Sequence, residues 1–355
     1  MIDIHFYQKI YKLKQQLMNG EIKDPDYVRK KLEEFREKEP TVYDIETTNA
    51  CNMKCKMCPR TTMMTRPIEA LNMETYRKIV DQLKPWTKNE WKNWESFVEK
   101  NYKISKNDMS ENHFFLYVIP KVITMHGYGE PILDPRIVER VKLLTEKNIP
   151  SYFSCNPANI NIEKTIKLFE SGLDYIKYSI EGTSDQRHKK IRGAASNFDD
   201  SYKKILQLLD IKKKKNYKTT IVITMINLDR PDQLEEWEEL KEKFKGLDVY
   251  IYLKSQNQRW YKSHTQQTQS IHWTELCQFP WSSMTIKSNG EVAMCVGDYN
   301  NDIIFGDAEK ESLYDIWNGE KYRKFREKHF KLTPGIKCTE RCDMTLVGKL
   351  INKDK

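Results

Sequence analysis

The sequence predicts an α/β fold, a partial (β/α)6 TIM-like barrel followed by a small C-terminal cysteine-rich domain. The first observation behind this prediction is that β-rich runs alternate with amphipathic helical stretches about six times between residues 40 and 255. Such alternation is typical of parallel strands joined by right-handed helical crossovers, and six units suit an open barrel better than a flat sheet. The second is that the alternation stops near residue 256, where short hairpin-like pieces and four of the eight cysteines follow.

Composition excludes several classes of protein. The chain has 355 residues, is 39% hydrophobic and contains no apolar run of the roughly 18 residues that a membrane span needs. The first residues, MIDIHFYQKIYKLKQQ, lack the apolar core and cleavage site of a secretion signal, so we expect a cytoplasmic protein without a membrane partner. The net charge is +9, but the basic residues are scattered among acidic ones, which argues against a nucleic-acid groove.

Six strands are predicted, and functional groups should collect where they end. In a parallel barrel the carboxyl ends of all strands open onto the same rim, which is where active sites lie. The strands are predicted within the runs TVYDIETTNA, TMHGYGEP, IPSYFSCNP, YIKYSIEG, TTIVITMIN and DVYIYLKS.

Three segments lie outside this alternation. Residues 1–39 carry helical periodicity and predict two short helices before the barrel. Residues 85–118 lengthen the first crossover, and their tryptophans at near-helical spacing predict an extra helix packed on the body, with a substrate lid as the functional alternative. Residues 256–355 form the C-terminal domain, in which we expect a hairpin turn at Asn289–Gly290 and a helix near 312–329.

The front cysteines form the most specific motif. Cys51, Cys55 and Cys58 stand with three and then two residues between them, directly after the first predicted strand. Three thiolates on one loop can hold three irons of a [4Fe-4S] cube and leave the fourth iron open. A structural zinc site is the alternative, but it requires four ligands, and no fourth Cys or His lies at the usual short spacing.

This cysteine motif resembles the signature of the radical SAM superfamily, and further segments extend the resemblance over roughly residues 40–255. HGYGEP resembles the family's glycine-glutamate-proline motif, which contacts the amino group of S-adenosylmethionine, and SCNP stands where relatives often have Thr-Asn-Gly. YSIEG with Arg192 resembles the region that contacts the ribose and carboxylate, and Met57 stands where an aromatic residue usually lies near adenine. The cofactor-binding residues that the resemblance implies are Met57, Gly127, Tyr128, Gly129, Glu130, Pro131, Asn156, Ser179, Glu181, Arg192 and Asn227.

The chemistry of the family is what the resemblance implies here. S-adenosylmethionine would chelate the open iron of the [4Fe-4S] cluster, and one electron from the reduced cluster would release a 5'-deoxyadenosyl radical that takes a hydrogen atom from the substrate. The cofactors carry the difficult chemistry, and the protein positions the substrate and excludes water. An electron donor such as a flavodoxin or a ferredoxin would reduce the cluster.

The back cysteines resemble those of the SPASM/twitch domain, in the short twitch form that carries one auxiliary [4Fe-4S] cluster. Four thiolates would give every iron of the cube a cysteine ligand and leave none open to substrate. The auxiliary cluster would therefore accept or relay an electron or serve a structural role. A zinc ribbon is the alternative, since four cysteines also satisfy tetrahedral zinc. The four residues are Cys277, Cys295, Cys338 and Cys342.

Three further residues are candidates for catalysis. Cys155 ends the third strand, so it is either a small buried residue or a hydrogen-atom donor to a substrate radical. Lys254 and Arg259, at and just beyond the sixth strand, are candidates for binding an anionic substrate or acting as a base.

Several reactions are open at this stage. The first is oxidation of an alcohol-bearing small molecule such as a sugar or an aminocyclitol, because the cysteine spacing resembles that of the twitch-bearing aminocyclitol dehydrogenases. The second is epimerisation with a cysteine as hydrogen donor, and the third is maturation of a peptide. A scaffold that binds metal without catalysis is the alternative from another class, and it predicts no cleavage of S-adenosylmethionine.

Overall fold

A single curved sheet forms the centre of the computed structural model, which describes residues 1–255, 277–336 and 338. Its strands are β1 (Val42–Ile45), β2 (Ile123–Thr124), β3 (Ser151–Cys155), β4 (Tyr175–Ser179), β5 (Thr220–Ile226), β6 (Tyr250–Lys254), β7 (Met284–Ile286), β8 (Glu291–Ala293) and β9 (Ile304–Asp307). Their order is β6-β5-β4-β3-β2-β1-β7-β8-β9. Each of β1 to β6 pairs in parallel with the next, as the sequence predicts.

Helices precede, connect and follow these strands. The two short helices expected before the barrel are present, and each begins with an aspartate cap, Asp3 or Asp24. The helices are α1 (Ile4–Met18), α2 (Pro25–Phe35), α3 (Pro59–Thr62), α4 (Met73–Asp81), α5 (Lys88–Tyr102), α6 (Glu111–His113), α7 (Ile137–Glu146), α8 (Ile162–Glu170), α9 (Asp185–Arg192), α10 (Phe198–Lys215), α11 (Gln233–Phe244), α12 (Phe279–Ser282), α13 (Leu313–Asn318) and α14 (Glu320–Phe330). A π-helical turn spans Phe114–Val118, and 3-10 turns span Pro131–Leu133 and Pro157–Asn159.

The two faces of the barrel strands belong to different apolar cores. Phe153, Ile176 and Ile223 pack in the core that contains the crossover helices, whereas Tyr152 and Val222, one residue away along their strands, pack in a second core on the inner face. Successive side chains of a strand point to opposite faces. Each strand residue can therefore be placed either on the outer face, against the helices, or on the inner face, in the barrel lumen.

The inner core closes the lumen at the amino-terminal ends of the strands. Phe114 of the π-helical turn packs its ring against Tyr152, Tyr175 and Tyr250, with ring centres 5.4, 6.2 and 5.6 Å away. Two of these tyrosines are the first residues of their strands and the third is a second residue. The inserted segment therefore fills the floor of the barrel and leaves the carboxyl ends of the strands as the open side.

Helix α5 of the insertion packs on the protein body, as predicted for an extra helix at this position. Trp94 is fully buried and its indole N–H donates to the Leu116 carbonyl at 2.7 Å, while Phe97 contacts the Tyr11 ring of α1. Thr87 caps the helix with a capping box. The structure favours this packing role over a substrate lid.

The C-terminal hairpin extends the barrel sheet. β7 pairs in parallel with β1, and β8 and β9 follow antiparallel. The turn lies at the predicted position, and Gly290 has the positive φ of +85° that favours glycine. The helix expected near 312–329 is two helices, because the chain breaks at Gly319, where a Cβ would lie 2.9 Å from the Asp315 carbonyl oxygen. The SPASM-like domain thus shares a continuous sheet with the barrel.

None of the described helices combines the length and the apolar character that a bilayer crossing requires.

Candidate active site

Three cysteines lie on one short loop at the carboxyl end of β1. Cys55 is buried, and Cys51 and Cys58 are half-buried. The loop is tight because the Cys58 N–H donates to the Cys55 carbonyl at 3.2 Å and the Thr61 hydroxyl donates to the same carbonyl at 2.9 Å. Burial raises the pKa of Cys51 to about 11, and it also raises the pKa of Cys58. Iron that binds these thiols must therefore displace their protons.

The glycines of the HGYGEP segment bring this segment against the chain that leads into the cysteine loop. A Cβ at Gly129 would lie 1.9 Å from the Thr48 carbonyl oxygen, and one at Gly127 would lie 2.5 Å from Glu46 Oε1. A larger residue at either position would displace these neighbours. Close packing against other protein atoms therefore explains why both positions are glycine, in addition to the predicted approach of the backbone to a ligand.

Glu130 joins the cysteine loop to the end of β3. Its N–H donates to the Ala50 carbonyl at 2.8 Å, and its Oε2 accepts from the Asn156 N–H at 2.8 Å. Burial raises the pKa of Glu130 to about 7. The predicted cofactor residues Glu130 and Asn156 are therefore brought together beside the front cysteines.

Arg192, the last residue of α9, connects the front cysteines to the ends of β4 and β5. Its Nη1 lies 3.9 Å from Cys55 Sγ, and its Nη2 donates to Glu181 Oε1 at 2.5 Å. The other Glu181 oxygen accepts from the Ile226 N–H at 3.1 Å. Although burial opposes it, the charge of Glu181 raises the pKa of Arg192.

A polar layer lines the lumen next to this pair. Ser154 and Ser179 face each other with their hydroxyl oxygens 3.3 Å apart, and the Ser154 N–H donates to His126 Nδ1 at 3.2 Å. Burial and the charges of two lysines lower the pKa of His126 to about 3, so this imidazole is neutral at physiological pH. Lys177 stands opposite Ser154 in the parallel register.

Four buried polar atoms of this region lack a hydrogen-bond partner among the described residues: Glu130 Oε1, Asn156 Nδ2, Arg192 Nε and Thr224 Oγ1. Buried polar atoms are normally paired, because leaving one unpaired costs about 1–3 kcal/mol. They comprise acceptors and donors, which suits a ligand that carries amino, carboxylate and hydroxyl groups. Together with the three thiols of the loop, they fit a three-cysteine iron-sulfur cluster and S-adenosylmethionine beside it.

Cys155 does not face this site. It belongs to the outer core with Phe153 and Ile176, and the lumen side of the same strand end is occupied by Ser154. Burial raises the pKa of the Cys155 thiol well above its usual value. This placement favours the second interpretation of Cys155, a small buried residue, over a hydrogen-atom donor.

The other predicted site residues have more varied positions. Asn227 follows β5 and its side chain accepts from the Asp229 N–H at 3.0 Å, whereas Lys254 ends β6 in register with Ile226. Arg259 lies outside the described residues. Met57 is half-buried in the cysteine loop, and Tyr128 and Pro131 are buried in the glycine segment.

Of the four back cysteines, the structure describes Cys277, Cys295 and Cys338, all of them buried, whereas Cys342 lies outside the described residues. Cys277 Sγ accepts from the Phe279 N–H at 3.5 Å, and Cys295 Sγ accepts from the Gly297 N–H at 3.2 Å. Such donors stabilise thiolate ligands. In the described part of the chain, no three His, Cys, Asp or Glu side chains group as ligands of one metal ion. The cysteines of a cluster bind separate irons and need not meet at one point.

The structure contains a buried charge network that the sequence patterns did not predict. Glu46 is fully buried and accepts two hydrogen bonds from Arg66, at 2.8 and 2.9 Å, and one from the Ser288 hydroxyl at 3.0 Å. Although burial opposes it, the charges of Lys287 and Arg66 lower the pKa of Glu46. The network ties β1 to the C-terminal hairpin. Its signal in the sequence is a charged residue directly after each apolar run, in VYDIE and in MTIK.

The sequence matches two family models. The model of the radical SAM superfamily matches residues 45–244, and the SPASM model, an iron-sulfur cluster-binding domain, matches residues 277–343. The first match covers more than half of the chain and includes the front cysteine loop, and the second includes all four back cysteines. No curated protein sequence matches the chain.

Solved structures share the fold at low sequence identity. The crystal structure of BtrN in complex with AdoMet and 2-DOIA is 15% identical, with a TM-score of 0.50 over 86% of this chain and 94% of that one. Streptococcus suis SuiB bound to S-adenosylmethionine is 14% identical, with a TM-score of 0.53 over 81% and 68% of the two chains. SuiB bound to precursor peptide SuiA is 14% identical, with a TM-score of 0.50 over 88% and 71%. These similarities confirm the predicted fold class.

Proposed function

Because this chain belongs to the radical SAM superfamily and carries a SPASM iron-sulfur domain, we propose that it oxidises an alcohol-bearing small molecule, a sugar or an aminocyclitol-like compound. Membership of the family makes the chain an enzyme whose cofactors are a SAM-binding [4Fe-4S] cluster, an auxiliary iron-sulfur cluster and S-adenosylmethionine. The reaction and the role of each residue are the parts that we propose.

Cys51, Cys55 and Cys58 hold the SAM-binding cluster in this proposal, and the four back cysteines hold the auxiliary cluster. When bound, these cofactors supply a 5'-deoxyadenosyl radical that takes a substrate hydrogen atom, and an acceptor for the second electron. The protein binds and orients the cofactor. The unpaired Glu130 oxygen faces its amino group, and Arg192 orients its carboxylate.

The position of Cys155 is the observation that favours oxidation over epimerisation. A radical epimerase must return a hydrogen atom to the substrate, and a thiol is the donor that the sequence offered for this step. Cys155 packs in the outer core, and every other cysteine of the described residues belongs to one of the two proposed cluster sites. Oxidation needs no such donor, because it requires a base for the hydroxyl proton and an electron acceptor.

Lys254 is the residue that we propose as this base. It is half-buried at the carboxyl end of β6, where the barrel opens, and its register neighbour Ile226 contacts the Glu181 carboxylate through its N–H. Arg259 stays a prediction as a second cation for the substrate. A flavodoxin or ferredoxin would supply the electron that starts each cycle.

The experiment that tests this function is a substrate screen in deuterated water. Reconstituted, oxygen-free enzyme is reduced and incubated with S-adenosylmethionine and a panel of sugars and aminocyclitols. The masses of the products are then measured by mass spectrometry. We expect a product lighter by two hydrogens, with one 5'-deoxyadenosine for each carbonyl formed. The Cys155→Ala enzyme should give the same product at a rate within about threefold of the unaltered enzyme, which is a barrier change below 1 kcal/mol.

An isomer of the substrate that carries one deuterium, and that disappears in the Cys155→Ala enzyme, would contradict oxidation and establish epimerisation. Turnover of peptides and not of small molecules in the same panel would establish the third reaction class, peptide maturation.

A further inference from the structure

Lys177 lies on the lumen face of β4, one layer below the residues assigned to the cofactor. Its register neighbours are Ser154 of β3 and Val222 of β5, and Val222 belongs to the inner core. Ser179, two residues further along β4, shares this face and marks the layer above. Lys177 therefore forms part of the floor of the open lumen.

The ammonium group of Lys177 lacks a counterion. Lys177 is 7% exposed, and the structure gives its Nζ no hydrogen bond or ion pair with the described residues. Its Nζ lies over the face of the Tyr152 ring, 5.6 Å from the ring centre. A largely buried cation that no carboxylate contacts is suited to bind an anionic group that enters the lumen.

The charges around Lys177 do not supply this partner. Burial and the nearby cations Lys254 and Arg192 lower the pKa of Lys177 to about 7, and the two carboxylates in electrostatic range are engaged elsewhere. Glu181 pairs with Arg192, and Glu111 accepts from the Ser255 N–H at 3.0 Å. The floor is consequently a cationic pocket with no carboxylate of its own in contact with Lys177.

Hydroxyl groups surround the same pocket. Ser154 and Ser179 hold their oxygens 3.3 Å apart, so one hydroxyl proton remains available to a ligand. Thr224 stands beside Ser179 in the register, and its hydroxyl is buried without a partner in the described part of the chain. One cation and several hydroxyl donors on one floor form the donor set that anions prefer.

We propose that this floor binds an anionic group of the substrate, a carboxylate or a phosphate, which pairs with Lys177 and accepts hydrogen bonds from Ser154 and Thr224. The assignment rests on the proposed function, because it places the substrate of that reaction in the lumen below the cofactor. It also narrows the substrate class: a hydroxylated acid or phosphate fits the floor, whereas a protonated aminocyclitol meets repulsion from Lys177.

The test measures anion binding directly, on the reconstituted holoenzyme with S-adenosylmethionine present. The probes are inorganic phosphate and carbon-13-labelled acetate, and binding is read from the excess width of their phosphorus and carbon NMR signals. We expect at least one probe to bind, and Lys177→Met to weaken it by about tenfold or more. Lys177→Arg should retain binding, because it keeps the charge, and the control Lys190→Met, at an exposed lysine of α9, should leave it unchanged.

Several outcomes decide the proposal. Binding of either probe supports the site. The probe that binds more strongly, acetate or phosphate, identifies the charged group of the substrate. Absence of binding by both probes, binding that survives in Lys177→Met, or displacement of the probe by S-adenosylmethionine would overturn it. Lys177→Gln gives a second uncharged variant if Lys177→Met does not fold. S-adenosylmethionine cleavage is assayed in the same samples. If the unaltered enzyme does not cleave S-adenosylmethionine, that result counts against the proposed function and not against the anion site.

Discussion

Replacing Cys58 with alanine is expected to lower S-adenosylmethionine cleavage by at least about 1000-fold, which corresponds to about 4 kcal/mol of the activation barrier. The physical reason is that the front loop offers three thiols and a cube needs all three to remain anchored with one iron open. Cys58 also directly precedes α3 as its N-cap residue and donates its N–H to the Cys55 carbonyl, and alanine preserves that backbone bond. The measurement is 5'-deoxyadenosine production under reductant, with iron counted on the same protein.

Cys155→Ala is the matched control for this prediction. It also removes a buried thiol near the site, but Cys155 faces the outer core, so cleavage and iron content should be retained. In Cys58→Ala the iron content should fall from about eight atoms per chain to about four. Full cleavage by Cys58→Ala would show that this thiol is not a ligand.

Glu46→Gln is expected to lower the free energy of unfolding by about 3–5 kcal/mol, because it removes the negative charge that compensates two buried cations. Arg66 binds both oxygens of Glu46, and Lys287 lies fully buried in the same network. The amide keeps the shape of the carboxylate, but it removes the charge and turns one hydrogen-bond acceptor of the network into a donor. The measurement is urea unfolding of the reconstituted protein, followed by circular dichroism.

Glu74→Gln of α4 is the control for the network. Its side chain is 79% exposed and pairs with Lys78 across one helical turn, an arrangement that contributes little to stability. We expect its free energy of unfolding to stay within about 0.5 kcal/mol of that of the unaltered protein. An equally small effect of Glu46→Gln would contradict the role of the network in joining β1 to the C-terminal hairpin.

The barrel could be predicted from the sequence because its signals are local. Runs such as TTIVITMIN and DVYIYLKS are apolar on both faces of the strand, which is typical of parallel strands covered on both sides. The CNMKCKMC spacing likewise lies within eight residues, and the comparisons confirm the family that it resembles. Patterns confined to one segment require no knowledge of what packs against it.

The features that the sequence did not reveal depend on long-range packing. Cys155 and Ser154 are adjacent, and only the register of β3 decides which of them faces the lumen. The pairing of β7 with β1 joins segments about 240 residues apart. Lys177 lies within the predicted strand run YIKYSIEG, but its position on the lumen floor becomes visible only when β3, β4 and β5 are placed side by side.

Mössbauer spectroscopy of oxygen-free protein reconstituted with iron-57, recorded before and after addition of S-adenosylmethionine, tests the central claim most directly. If Cys51, Cys55 and Cys58 leave one iron without a cysteine, the spectrum should contain about eight irons per chain, and one of them should change its signal when the cofactor binds. A front site in which every metal ion is already bound by thiolates, and whose spectrum does not respond to S-adenosylmethionine, would contradict the assignment of this loop.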